Sequence, residues 1–115
     1  MASTQKTFAF ILGIVLLILG IWGLFTESVL GFGVNIAQSV LHIIAGAFGL
    51  YVGTKGSGSG FNKTIGYIGI LLAILGFIPQ TASLLADSLN VNMAITWLHA
   101  VVGVVALIVG YTLKE

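Results

Sequence analysis

The two histidines of this chain, His42 and His99, stand in nearly repeated surroundings: "VNIAQSVLHIIAGAFGLYVG" from Val34 and "VNMAITWLHAVVGVVALIVG" from Val91. Both stretches keep an Asn, a hydroxyl, a His and a Gly at the same offsets, as Asn35, Ser39, His42 and Gly46 and as Asn92, Thr96, His99 and Gly103. An imidazole can ligate a haem iron or a chlorophyll-type magnesium, move a proton, or simply make a hydrogen bond. The rest of the chain offers little chemistry beside it. There is no cysteine, which removes disulfides, thiolate metal sites and thiol catalysis. Ser, His and Asp all occur, but without the spacing of a nucleophilic triad or of a metal site. "GTKGSGSG" is not a phosphate loop, because it lacks the terminal Gly-Lys-Ser/Thr and a preceding strand. A non-enzyme is expected. A net charge of +1 argues against nucleic acid, which needs clustered Lys and Arg.

The elements that hold these residues follow from composition. The 115 residues are 58% hydrophobic and 6% charged, with a strongly positive mean hydropathy. A water-soluble domain usually carries about 25% charge, so this chain belongs in a lipid bilayer. Four apolar runs, Thr7 to Phe25, Ile36 to Thr54, Thr64 to Gln80 and Met93 to Leu113, each approach the ~20 residues that carry a helix across the hydrocarbon. An all-α membrane protein with four spanning helices is expected. The first run resembles a signal peptide, but the following "TESVLG" lacks a cleavage site. Lys6, Lys55, Lys63 and Lys114 fall on one side of such a bundle and Glu27 and Asp87 on the other, which places both termini in the cytoplasm. Trp22 and Trp97 near outer ends, and Tyr51, Tyr67 and Tyr111 near inner ends, suit interfacial aromatic belts. "TKGSGSGFNK" reads as a flexible Gly/Ser linker, native or spliced, whose Asn62-Lys63-Thr64 glycosylation pattern is taken as chance on the inner side. "TASLLADSLNVN" has the spacing of a short interfacial helix.

The chain also repeats itself. A displacement of 56 residues carries "GIVLLILG" from Gly13 onto "GILLAILG" from Gly69, and one residue more aligns Asn35 with Asn92, His42 with His99 and Gly46 with Gly103. The chain is therefore expected to be a single domain of two helical hairpins, residues 7–54 and 62–111, joined by a linker at 55–61. Both hairpins enter from the same side, so they are parallel repeats about a pseudo-two-fold axis along the membrane normal.

The glycine-bearing first and third helices, "ILGIVLLILGIWGLF" and "IGYIGILLAILGF", and the pattern from Asn35 to "HIIAG" and from Asn92 to "HAVVG", resemble the small prokaryotic four-helix membrane proteins catalogued as domain-of-unknown-function family 4383. The resemblance covers nearly the whole chain. It implies a tetraspan fold in a prokaryotic cytoplasmic membrane, or an internal membrane derived from it, and no assigned activity.

Ser39, His42, Gly46, Gly49 and Gly53 share one helical stripe, as do Thr96, His99, Gly103, Ala106 and Gly110. Small residues let membrane helices approach closely, so both stripes should face protein, with Gly13, Gly20, Gly69, Ala73 and Gly76 as the complementary surface. Asn35 and Asn92 are read as N-caps. Each histidine then lies about 10 Å inside its helix, where an unpaired polar group costs on the order of 2 kcal/mol. The favoured expectation is that each bonds a hydroxyl such as Ser39 or Thr96, a carbonyl, or its twin, and that no cofactor is present. The alternative is a ligand pair for haem or a chlorophyll-type pigment across a diagonal of about 11 to 14 Å. A small transporter or channel acting as an oligomer comes third, since the carboxylates lie in loops and leave only histidines in the membrane. Gly23, Gly31, Gly33 and Gly66 lie off the main stripes and look surplus to one small bundle. That surplus favours an accessory role, packing against copies of the chain or other membrane subunits.

Overall fold

The structure, a computed structural model, describes residues 3–113. Helix α1 spans Thr4–Gly23, and its N-terminus is set by Ser3, whose hydroxyl accepts from Lys6 N at 3.1 Å. A hairpin follows, with β1 at Ser28–Val29 paired antiparallel to β2 at Phe32–Gly33. Leu30 (φ 54°) and Gly31 (φ 88°) form the two-residue turn, whose left-handed backbone matches the twist of the strands. Helix α2 spans Ile36–Thr54, α3 Gly58–Phe77, α4 Pro79–Leu89 and α5 Met93–Thr112. Four helices, α1, α2, α3 and α5, are long and apolar enough to cross a membrane. The molecule measures 42 Å along its longest axis, about the thickness of a bilayer with its headgroups.

Several boundaries differ from the sequence expectation, with α1 at Thr4–Gly23 rather than Thr7 to Phe25 and α3 displaced at both ends. Helix α3 begins at Gly58 rather than Thr64, so the linker expected over 55–61 shrinks to residues 55–57. The cause is tertiary: Gly58 is buried against the backbone of Gln5, where a Cβ would lie 2.7 Å from Lys6 N, and the Asn62 amide bonds Gln5 one turn later. Those contacts override the low helix propensity of the Gly/Ser composition. At its other end α3 stops at Phe77, because Ile78 takes an extended backbone (φ −90°, ψ 120°) before Pro79. Pro79 then opens α4, where its missing N–H costs nothing. No residue of α4 is buried, as befits a helix lying on the bundle's end.

Helices α1 and α2 pack tightly, and so do α3 and α5, while the hairpins meet chiefly through α1 and α3. Helices α2 and α5 have no Cα atoms within 8 Å of each other and occupy the long diagonal. Within each pair the backbones nearly touch. A Cβ on Gly46 would lie 2.7 Å from Gly13 O, and one on Gly20 2.8 Å from Ser39 O. In the second pair, a Cβ on Gly69 would lie 2.8 Å from His99 O, and one on Gly103 3.0 Å from Gly66 O. Gly49 closes on Ala9, Gly53 on Phe10, Gly76 on Thr96 and Gly110 on the Lys63 stem. The apparently surplus glycines are used here as well, which corrects that expectation. Gly23 faces Ser39 and Val34, Gly33 faces Asn92, Gly66 faces Leu107, and Gly31 occupies the turn. Beneath the hairpin, Val29, Val34, Val91 and Ile95 form a buried apolar cluster.

Candidate functional site

The polar interior has three levels. At the end that carries the β-hairpin each N-cap asparagine does two jobs. Asn35 Oδ1 accepts from Gln38 N at 2.8 Å, while its Nδ2 donates across to Ser88 O at 3.0 Å. Asn92 Oδ1 accepts from Ile95 N at 3.0 Å, while its Nδ2 donates across to Gly31 O at 3.0 Å. One side chain thus starts a helix and ties it to the other hairpin. Asn90, left-handed at φ 55°, ends α4 and donates to Val34 O at 2.7 Å and Glu27 O at 3.1 Å. Gln38 is buried and donates to Leu89 O at 2.7 Å and Gly33 O at 3.0 Å.

At the opposite end Gln5 and Asn62 are fully buried. Gln5 Nε2 donates to Val109 O at 2.7 Å and Leu113 O at 2.9 Å, carbonyls at the C-terminal end of α5. Asn62 Nδ2 donates to Gln5 Oε1 at 2.9 Å and Gln5 O at 3.0 Å. An asparagine enclosed in this way offers no amide to a glycan. Gln5, Gln38 and Asn90 were missed in the sequence. The available signal was an uncharged amide flanking or inside an apolar run, a group that must find a partner in the bilayer.

Between the two clamps lie His42 on α2 and His99 on α5, both half-buried. Their Nδ1 atoms are buried without a hydrogen-bond partner. The expected hydroxyl partners are not used: Thr96 Oγ1 donates to Asn92 O at 2.9 Å, and buried Ser39 Oγ is itself unpartnered. The reason is packing. Ser39 is pressed against Gly23 of α1 and Thr96 against Gly76 of α3, on the faces that close each hairpin. Two concavities lie at the β-hairpin end, one lined by Gly76, Ala82, Val91 and Thr96, the other by Gly23, Thr26, Asn35 and Ile36. Neither includes a histidine.

Four long apolar helices, packed through glycine and closed by amides at both ends, define a small integral membrane protein. The chain belongs to the family described as Domain of unknown function (DUF4383), which matches residues 6–112. No curated protein and no solved structure matches it.

Proposed function

We propose that this protein is a non-enzymatic structural or accessory membrane component that packs against copies of itself or other membrane-spanning subunits. One observation carries the reading: small residues and buried amides are turned inward, while the surface between the clamps is bulky and apolar. Ile11, Val15, Ile18, Leu71, Val101 and Ile108 are all more than half exposed. Such a surface can meet only acyl chains or other membrane helices. The surplus-glycine argument for partners is withdrawn, since those residues serve the chain's own packing.

The same reading takes the hairpins as parallel repeats about an axis along the membrane normal. Its support is that Gly13 on Gly46 and Gly69 on Gly103 make corresponding contacts at aligned positions. Both termini are assigned to the cytoplasmic side of a prokaryotic cytoplasmic membrane. Lys6, Lys55 and Lys63 at one end and Glu27 and Asp87 at the other support this. Lys114, which joins that lysine set in the sequence, lies outside the described residues.

The unpartnered Nδ1 atoms favour a second reading, a haem or chlorophyll-type pigment on His42 and His99. One feature speaks against it: a ligating imidazole ordinarily donates its second N–H to a carbonyl or carboxylate, and the buried Nδ1 atoms have neither. A transport role has only the same histidines to call on. Gentle extraction into nanodiscs, followed by mass spectrometry and an absorption spectrum, tests these readings together. The expected result is an oligomer or a copurifying membrane protein, with no visible band. A lone monomer would sink the accessory reading, and a Soret or chlorophyll band lost in His42→Leu would establish the second.

A further inference from the structure

We propose that Lys63, Tyr67 and Tyr111, whose polar tips meet on the membrane-facing seam of α3 and α5, bind the phosphodiester of an anionic phospholipid. The two phenol oxygens are 2.5 Å apart, and the rings meet edge to face at 6.3 Å between centroids. Lys63 Nζ lies 4.5 Å from the centre of the Tyr111 ring. The lysine is aimed by packing, because its stem crosses α5 at Gly110, where a Cβ would lie 2.8 Å from Lys63 Cγ. Tyr67 lies near the middle of α3 now that the helix starts at Gly58, and its ring reaches Tyr111 at the end of α5. Both tyrosines are more than half exposed.

These groups offer one positive charge and one unspent O–H. The hydroxyl-to-hydroxyl bond uses one phenol proton and leaves the other to donate outward. Among the described residues the only carboxylates are Glu27 and Asp87, both at the opposite end of the bundle, so neither supplies the ammonium with a negative charge. A phosphodiester supplies that charge and accepts the O–H. The seam opens sideways, and Ile68, Leu71 and Ile108 beside it are exposed, giving the attached acyl chains a continuous apolar track. That geometry selects a lipid phosphate over a free one. The chain carries its own control. Under the repeat's displacement, Lys63, Tyr67 and Tyr111 correspond to Thr7, Ile11 and Thr54, which lack both the charge and the phenols. The first hairpin therefore has no such site.

Native mass spectrometry of the purified protein with phosphatidylglycerol and phosphatidylcholine of matched chains tests this. The expected preference is about fivefold for phosphatidylglycerol, the weight of one lysine near an anionic lipid surface. Lys63→Gln and the double change Tyr67→Phe, Tyr111→Phe should abolish it, Lys63→Arg should keep it, and Lys55→Gln, on the first hairpin, should leave it unchanged. Equal retention of the two lipids overturns the site, as does an equal loss in Lys55→Gln and Lys63→Gln. Inorganic phosphate that binds in detergent and displaces phosphatidylglycerol overturns the lipid as its source. None of these outcomes depends on whether the protein has an accessory role.

Discussion

Each imidazole holds a buried Nδ1 that nothing in the described residues satisfies, as the end amides Gln38 and Asn62 do at their side-chain oxygens, but those amides are anchored through their nitrogens. A buried polar atom without a partner costs about 1–3 kcal/mol, whereas an apolar replacement of similar size removes that cost. His42→Leu and His99→Leu are therefore expected to leave the protein as stable as wild type, or more stable by about 1 kcal/mol. Reversible unfolding in mixed detergent micelles measures this. A loss above about 2 kcal/mol in either variant would mean that its imidazole has a bonded partner in the membrane, a water or a ligand. The asparagines show why a residue's role is only half legible from its position. Asn35 and Asn92 stand where a cap belongs, and they cap. Their second hydrogen bond, to the other hairpin, depends on how the hairpins dock, and local spacing holds no trace of it.

At the scale of the helices, stability within a hairpin rests on backbone approach through glycine. Gly46→Ala places a methyl against Gly13 O, so one helix must shift, and a loss of about 1–3 kcal/mol is expected. Gly60→Ala is the counterpart. That residue lies in the first turn of α3 with nothing within 4 Å of its would-be Cβ. If α3 starts at Gly58, alanine there gains helix propensity and should stabilise by up to about 1 kcal/mol. The same unfolding assay reads both, and a neutral Gly60→Ala would return that turn to a flexible linker. The spans of α2 and α5 were legible within a residue, because an asparagine and an apolar run mark their starts. The start of α3 was not, since "GSGSG" has the composition of a linker and becomes helical only against Gln5. The β1–β2 hairpin was missed for a related reason. Two-residue strands carry no periodicity, and their turn places Leu30, not the usual Asn or Asp, before Gly31.

For the whole molecule, the ends are chemically unequal and the middle is not. Among the described residues, lysines mark the end where α1 and α3 begin, and Glu27 and Asp87 mark the end that carries the hairpin and α4. Because Lys and Arg near short loops are retained on the cytoplasmic face, this asymmetry predicts an orientation that helix packing alone would leave open. The chain has no cysteine, so single thiols report the orientation without background. Thr54→Cys sits at the lysine end and Ser83→Cys on α4, and both positions are exposed. In intact cells a membrane-impermeant maleimide should label Ser83→Cys and spare Thr54→Cys until the membrane is permeabilised. Reversed labelling would turn the bundle over and move the Lys63, Tyr67 and Tyr111 seam to the outer leaflet. Its lipid preference would survive that result, because the seam's chemistry does not depend on which compartment it faces. Labelling of both thiols in intact cells would mean that the insertion is mixed, and that Lys6, Lys55 and Lys63 against Glu27 and Asp87 are too weak a bias to orient so apolar a chain.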